Sequence, residues 1–227
     1  MHAPYGAPGL EVNRSTISTH PLRSGKREKA ERAMQAMPCR SVRPGEIPRA
    51  VSVQVAAFVA DPIMRWMWPE AHAYIANLER LVHGFGGGAF QNDGADVCEG
   101  FVGGALWLPP GVSPEEESLG ELMEDTLPAP KRAQVEAMLE EMGASHPDER
   151  HWHLAFIGVD AAHQGKGAGG DLMRYRLAQI DAEGAYAYLE SSNPRNVHFY
   201  QRHGFEVVRE IRIEGAPPVT PMVRPPR

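Results

Sequence analysis

The sequence has few cysteines and no long apolar run, and each shortage excludes a class of protein. Two of its 227 residues, Cys39 and Cys98, are cysteines, too few for a disulfide framework or a cysteine-based zinc site. We interpret both as plain thiols in a reducing, cytoplasmic location and predict no metal. No stretch approaches the roughly 18 apolar residues of a membrane-spanning helix. We therefore predict no membrane partner.

The sequence also lacks an excess of basic residues. The formal net charge is −6, and residues 113–149 contain eleven acidic residues against two basic ones. A nucleic-acid partner requires a basic surface that neutralises phosphates, so we predict no such partner. The acidic body is compatible with a cationic or amine ligand, although acidic surface helices also serve solubility alone.

Length and composition predict one domain behind a weakly structured leader. Residues 1–37 contain scattered proline and glycine without a sustained apolar period, which favours a disordered or loosely attached extension. Met37 is an alternative natural start, and a transit segment remains a third interpretation. Residues 38–227, in a chain that is 42% hydrophobic, are long enough for a single domain with a proper core. A homodimer is left open.

The apolar periodicity predicts an α/β fold of the mixed α+β kind, with helices packed on a mixed sheet. Proline and glycine pairs mark the element ends. The predicted helices lie near 47–60, 71–84, 114–126 and 130–142, and the strands at 89–91 or 95–99, then 101–108, 151–159, 185–191, 205–213 and 219–223.

The strongest local signal is HQGKGAGGDLM at residues 163–173, between an apolar strand and a helix. Such a loop directs backbone N–H groups and a helix N-terminus at one point, which suits a phosphate or pyrophosphate. The dinucleotide pattern fits poorly because Asp160–Gln164 separate the strand from the first glycine, and the Walker pattern lacks Gly-Lys-Ser/Thr. Gln-x-x-Gly-x-Gly is met by Gln164, Gly167 and Gly169, with an ordinary glycine-rich turn as the alternative.

A second motif, LESSNPRNVHFYQRHGFE, spans residues 189–206. Asn193 suits an N-cap, Pro194 the first helical position and Gly204 the position after the helix. Tyr200 lies on this helix, where a core aromatic is the structural alternative to a functional role.

Together the two motifs closely resemble the GNAT superfamily of acetyl-CoA-dependent N-acetyltransferases, and most of all the branch that contains puromycin N-acetyltransferase. The resemblance covers about residues 40–225 in element order, and its motif-level identity is concentrated in residues 151–206. Asn196 stands where the family usually has alanine, a departure that concerns helix packing more than chemistry. The resemblance implies a mostly antiparallel mixed sheet with splayed central strands and helices on both faces.

The resemblance also implies where acetyl-CoA, the expected co-substrate, is bound. The strand before the loop would hydrogen-bond the pantetheine arm, and the loop would hold the pyrophosphate. The implied residues are Ile157, Val159, Gln164, Gly165, Lys166, Gly167, Ala168, Gly169, Gly170 and Asn193.

The same resemblance implies that Tyr200 is the general acid that protonates the departing thiolate. For the base we favour His153, with Glu190 on the facing strand as the reserve, although Glu190 would also suit fixing an amine by charge. Strand alternation places His151, His153, Ala155 and Ile157 on one side, provided that no bulge precedes Ile157.

The acceptor pocket of this fold is expected between the first two helices. The segment FVADPIMRWMWP is unusually aromatic, and Phe58, Trp66 and Trp68 would wall an apolar or aromatic amine whose cation pairs with Asp61. We therefore expect acetyl transfer to a primary amine of a small, aromatic or antibiotic-like molecule by direct attack. The alternatives are a degenerate protein that binds CoA or a partner, and an enzyme that acetylates a protein or peptide amine.

Overall fold

The computed structural model describes residues 36–227 of the chain. The predicted N-terminal extension, residues 1–37, therefore lies outside the described residues except for Ala36 and Met37. The backbone N–H of Met37 donates a hydrogen bond to Asp171 Oδ2 at 3.0 Å, so this end of the described chain is attached to the domain.

Seven strands form one sheet in the order β1-β2-β3-β4-β5-β7-β6. Every neighbouring pair is antiparallel except β4 and β5, which are parallel. The predicted mixed, mostly antiparallel sheet is confirmed. Its strands are β1 (Cys39–Ser41), β2 (Ala95–Cys98), β3 (Gly103–Leu108), β4 (His151–Val159), β5 (Tyr186–Ser191), β6 (Glu206–Val207) and β7 (Thr220–Arg224).

Eight α-helices accompany the sheet within residues 36–227. The first six lie between β1 and β4 in the chain, the seventh follows the glycine loop, and the eighth follows β5. They are α1 (Ile47–Ala57), α2 (Pro62–Met67), α3 (Ala71–Gly86), α4 (Gly88–Gln91), α5 (Glu116–Thr126), α6 (Ala129–Gly143), α7 (Ala168–Ala182) and α8 (Val197–Arg202).

The sheet separates two hydrophobic cores, and β3 shows how one strand serves both. Leu106 and Leu108 pack into the core shared with α2, α3, α5 and α6. Ala105 and Trp107, which alternate with them, pack into the core shared with α7 and α8. This alternation is the two-residue period of a strand buried on both faces, and it confirms the prediction of helices on both faces.

A bulge in β4 overturns one expectation. On β3, Trp107 pairs with Leu154 and Leu106 with Phe156, so Ala155 is an extra residue. A bulge of this kind inverts the alternation of side chains that follow it. Ile157 consequently packs into the α7 core, opposite to the face on which His153 meets Phe85. The prediction that His153 and Ile157 share one side is wrong, because its condition of a regular strand is not met.

Helix α7, which follows the glycine loop, is fixed to the sheet by a buried ion pair. The Arg176 guanidinium donates to both carboxylate oxygens of Asp96 on β2, at 2.6 and 2.9 Å, and both side chains are at most 1% exposed. This two-pronged geometry is directional as well as strong. It sets the position of the helix whose N-terminus closes the loop.

Two local predictions differ from the structure, which also selects one of the two positions predicted for the weak strand. The segment predicted as a connection contains the short helix α2, whose N-cap Asp61 accepts hydrogen bonds from the Ile63 and Met64 amides. The weak strand lies at 95–98, since 88–91 is helical. The strand predicted at 205–213 is reduced to β6 and a single bridge at Ile211. Among the described residues, no helix combines the length and apolar character needed to cross a bilayer.

Candidate active site

The central feature of the site is the divergence of β4 and β5. The two strands pair from His151–Tyr186 to Leu154–Leu189 and no further. Beyond that point β4 stays with β3 as far as Val159, while β5 stays with β7 as far as Ser191. Among residues 36–227, the gap leaves the second half of β4 without a neighbouring strand on the β5 side. The predicted splayed central strands are therefore present, and the backbone edge at Ile157 and Val159 faces the gap.

The glycine loop lies at the end of β4, after a 3-10 turn at Ala161–His163. Gly165 and Gly167 have φ angles of +74° and +100°, a region that disfavours side chains. A Cβ built on Gly165 would meet no atom within 4 Å, and one on Gly167 would meet only Asp171 Oδ2, at 3.9 Å. The loop therefore has an open face, as a bound pyrophosphate requires.

The start of α7 supplies donors to that open face. Gly167 is the N-cap. The first hydrogen bond of the helix runs from the Asp171 amide to the Gly167 carbonyl. The amides of Ala168, Gly169 and Gly170 precede that bond and have no intrahelical acceptor. Lys166, whose Nζ donates to Ala162 O at 2.9 Å, adds a positive charge to the loop.

Two predicted cofactor residues have evident structural tasks. Gln164 Nε2 donates to Val159 O at 3.0 Å, which ties the loop back to the end of β4. Asn193 Oδ1 accepts from Arg195 N at 3.1 Å, the N-cap bond that its position suggested. The two residues thus hold the chain on either side of the strand divergence.

A largely apolar cavity opens where the strands diverge, with about 1000 Å³ of empty space that is partly open to solvent. Five methionines contribute to its wall, on α2, α5 and α6. Its polar lining includes Glu190 of β5, Ser192 and Tyr200. The methionines are Met64, Met67, Met123, Met138 and Met142.

Tyr200 lies on α8 at the edge of this cavity and is only 7% exposed. Burial, with the nearby negative charge of Asp61, raises the pKa of its phenol well above the usual range, so the hydroxyl keeps its proton. Within residues 36–227 that hydroxyl makes no hydrogen bond to the protein. A buried phenol without a partner beside a cavity is available to a ligand.

His153 and Glu190 are in direct contact. His153 Nε2 and Glu190 Oε2 are 2.7 Å apart, and their side chains are 8% and 5% exposed. Burial alone would raise the pKa of Glu190, but His153 and His146 outweigh it and lower that pKa, so the carboxylate stays charged. Glu190 lines the methionine-lined cavity, whereas His153 lines a different one, beside Pro109 and Pro110. The pair thus stands between two cavities.

The four predicted acceptor residues divide into two groups. Phe58 and Trp66 line the cavity. Trp68 does not, since it is 2% exposed and donates from Nε1 to Thr126 Oγ1. Asp61 caps α2 and accepts from Ser192 Oγ at 2.5 Å, and burial raises its pKa. The roles of all four residues in acceptor binding remain predictions.

Sequence reasoning missed His146 and the methionine wall. His146 comes from the loop after α6, yet its ring centroid lies 5.0 Å from that of His153. The i,i+4 spacing of Met138 and Met142 within a predicted helix was a usable signal for one shared face. No periodicity pointed to His146, because it lies in a loop and Glu190, which it approaches, is remote in sequence.

The comparisons with known proteins agree with this geometry. A family model described as the acetyltransferase (GNAT) family matches residues 134–205. An uncharacterised N-acetyltransferase of Schizosaccharomyces pombe is 34% identical over 82 residues, which are 35% of this chain and 33% of that protein. The match therefore spans about a third of the length of this curated relative.

Solved structures resemble the chain over most of its length. A Corynebacterium glutamicum protein described as histone acetyltransferase HPA2 and related acetyltransferase has a TM-score of 0.61 at 22% identity, covering 85% of this chain and 97% of its own. Arylalkylamine N-acetyltransferase 2 of Aedes aegypti has a TM-score of 0.64 at 12% identity, with coverages of 84% and 99%. At these identities the structures show the fold. The matched family model covers the glycine loop and Tyr200, and over residues 134–205 the chain is similar to the acetyltransferase (GNAT) family.

Proposed function

We propose that the protein transfers the acetyl group of acetyl-CoA to the primary amine of a small molecule with an apolar, preferably aromatic, body. The observation that carries the proposal is the methionine- and aromatic-lined cavity at the divergence of β4 and β5. The cavity lies beside the free edge of β4 and the Tyr200 hydroxyl, which has no hydrogen-bond partner within residues 36–227, and this supports an apolar acceptor site there. Sites for small molecules are generally apolar clefts with a few polar groups of this kind.

The donor fits the opposite end of the gap. The open face at Gly165 and Gly167 and the free amides at the start of α7 match a pyrophosphate. The unpaired edge of β4 near Ile157 and Val159 offers backbone groups to the amides of a pantetheine arm. In this arrangement the thioester reaches the divergence point, between Tyr200 and the acceptor cavity.

The reaction requires the amine nitrogen to attack the thioester carbonyl carbon while both substrates are bound. A C–N bond forms, the C–S bond breaks, and the sulfur leaves as a thiolate that needs a proton. Tyr200 is proposed to give that proton. The attacking nitrogen becomes acidic once it is bonded to the acetyl carbon, and it loses its proton to the Glu190–His153 pair.

The structure changes the order of preference within that pair. Glu190 lines the acceptor cavity and His153 does not, so Glu190 is proposed to meet the amine. His153 hydrogen-bonds the opposite carboxylate oxygen and acts behind it. A charged carboxylate at this position also attracts a cationic acceptor, which gives its ammonium proton to solvent before the neutral amine attacks.

A thiol-release assay with acetyl-CoA tests the proposal across a panel of amines. The panel contains a phenylethylamine, a linear polyamine and a lysine peptide, because these differ in apolar bulk and in size. We expect the highest kcat/KM with the aromatic amine, in line with the apolar wall. A preference for the lysine peptide would contradict the small-molecule proposal, and tight acetyl-CoA binding without turnover of any amine would indicate a CoA-binding protein.

A further inference from the structure

Glu190 and two histidines form a compact set that the proposed chemistry does not use in full. His146 Nε2 lies 3.5 Å from Glu190 Oε1, and His153 Nε2 lies 2.7 Å from Glu190 Oε2. Their ligand atoms all lie within 4.8 Å of one another. Two imidazoles thus approach the two oxygens of one carboxylate from different elements.

One carboxylate oxygen of this set is left unsatisfied. Glu190 Oε1 is buried and has no hydrogen-bond partner in the part of the chain that the structure describes. The whole side chain is 95% removed from solvent, since only 5% of it is exposed. A buried, unpaired oxygen of a charged group costs free energy unless something positive meets it. Glu190 Oε1 therefore remains available to bind a cation.

The hydrogen-bond chain behind His146 determines which atom it offers. The Glu149 carbonyl can only accept, so His151 Nδ1, 2.7 Å away, is the donor. In the neutral form of His151 the lone pair then lies on Nε2. That lone pair accepts from His146 Nδ1 at 2.9 Å. In neutral His146 the lone pair therefore lies on Nε2, the atom that faces Glu190.

We propose that His146, His153 and Glu190 bind one divalent transition-metal ion, with Zn²⁺ as the ion that their chemistry fits best. Two imidazole nitrogens and one carboxylate form a three-ligand set of the type that leaves a fourth position open. Imidazole selects Zn²⁺ and its neighbours over Mg²⁺ and Ca²⁺, which take oxygen ligands.

The surroundings supply what a metal site needs beyond its ligands. The bond from His146 Nδ1 to His151, continued to Glu149, is the outer-shell support that fixes a ligating imidazole. His146 and His153 line the cavity beside Pro109 and Pro110, which gives the ion a route from solvent. On binding, the ion displaces the proton that His153 Nε2 shares with Glu190, since a ligating nitrogen must be unprotonated.

A consequence for turnover rests on the proposed function. If Glu190 and His153 receive the amine proton, a bound ion and a free base exclude each other, so Zn²⁺ should inhibit. Metal binding itself does not depend on that role, and it is measured without substrate.

Calorimetry of the metal-free full chain with Zn²⁺ tests the site, and Co²⁺ serves as a spectroscopic substitute. We expect one ion per chain and a visible Co²⁺ spectrum of low coordination number. His146→Ala is the principal variant because its side chain is 31% exposed and its loss is tolerable for folding. It should weaken Zn²⁺ binding by more than 100-fold, while His151→Ala, which removes only the outer-shell support, should cost roughly 10- to 100-fold.

His72→Ala is the matched control, because this exposed histidine of α3 lies outside the cluster. It should leave the affinity unchanged, and equal thermal midpoints for all variants confirm intact folding. Glu190→Gln provides a second ligand variant of equal size.

Three outcomes would overturn the metal site. One is wild-type Zn²⁺ binding no tighter than that of His146→Ala. Another is binding that Glu190→Gln leaves intact. The third is a thiolate-to-cobalt charge-transfer band, which would place the ion at Cys39 and Cys98, whose sulfurs are 3.1 Å apart. None of these depends on acetyl transfer, so the metal site and the proposed function fail separately.

Discussion

The proposed donor end and the proposed acceptor end of the site are built from different parts of the protein. The donor end uses backbone groups from one continuous stretch, the second half of β4, the glycine loop and the start of α7. The acceptor end uses side chains of α2, α3, α5, α6, β4 and β5, which are far apart in sequence. Backbone recognition restricts the sequence to glycines at fixed spacing, whereas an apolar wall accepts many residue combinations. We therefore expect donor binding to be sensitive to single loop changes and acceptor binding to change in small steps.

The largest expected effect is at the loop. Gly167→Asp introduces a side chain and a negative charge into the space proposed for the pyrophosphate. We expect acetyl-CoA affinity to fall by roughly 100-fold or more, equivalent to about 3 kcal/mol, measured by calorimetry.

Gly184→Asp is the matched control for backbone strain. Gly184 ends the same helix, also has a positive φ of +63°, and has no atom within 4 Å of its Cβ position. Its variant should lose stability without losing acetyl-CoA affinity. Equal affinity losses in the two variants would mean that strain, and not occupation of the anion site, explains the result.

The same contrast explains how much of the site the sequence predicts. Gln164, Gly167 and Gly169 can be predicted from the sequence, because they lie close together in the chain at the fixed spacing of one motif. The position of Asn193 predicted its N-cap, which the structure has. By contrast, the bulge at Ala155 leaves no signature in the sequence, and it reverses the face on which Ile157 lies. The strand divergence likewise depends on pairing partners that are set by the whole sheet.

Side-chain clusters formed across the fold are the least predictable part. The sequence identifies His153 and Glu190 each as a candidate, but it does not predict that the two side chains are in contact. Their contact depends on the parallel register of β4 and β5, where His153 pairs with Tyr188. His146 joins them because the α6–β4 loop folds back over the strand ends. No periodicity within either segment contains this information.

A second variant distinguishes a catalytic role of the buried Tyr200 from a packing role. Tyr200→Phe removes a hydroxyl that makes no hydrogen bond within residues 36–227, so folding stability should hardly change. Turnover should fall by about 100-fold, within the range for loss of a general acid. Steady-state rates and thermal midpoints of the same samples are the measurements.

Tyr74→Phe provides the reverse case. Tyr74 is 1% exposed and its hydroxyl donates to Val55 O at 2.6 Å, so its loss should cost about 1 kcal/mol of unfolding free energy. Turnover should persist, because Tyr74 does not line the acceptor cavity. Parallel losses of stability and turnover in Tyr200→Phe would instead assign Tyr200 to the core.

The smallest expected effect tests whether the apolar wall selects the acceptor. Leu139 lines the cavity from α6 and is 36% exposed, so Leu139→Ala shortens the wall without opening the core. The KM for a phenylethylamine should rise roughly threefold to tenfold, with kcat unchanged, because this contact is equal in the ground state and the transition state. A short alkylamine, which does not reach the wall, should keep its KM.

Ile75→Ala is the control, since Ile75 is 64% exposed and lies outside the cavity lining. The same KM ratio between the two amines in wild type and Leu139→Ala would show that the wall does not contact the acceptor body, and the aromatic preference would then have to come from the residues nearer the thioester.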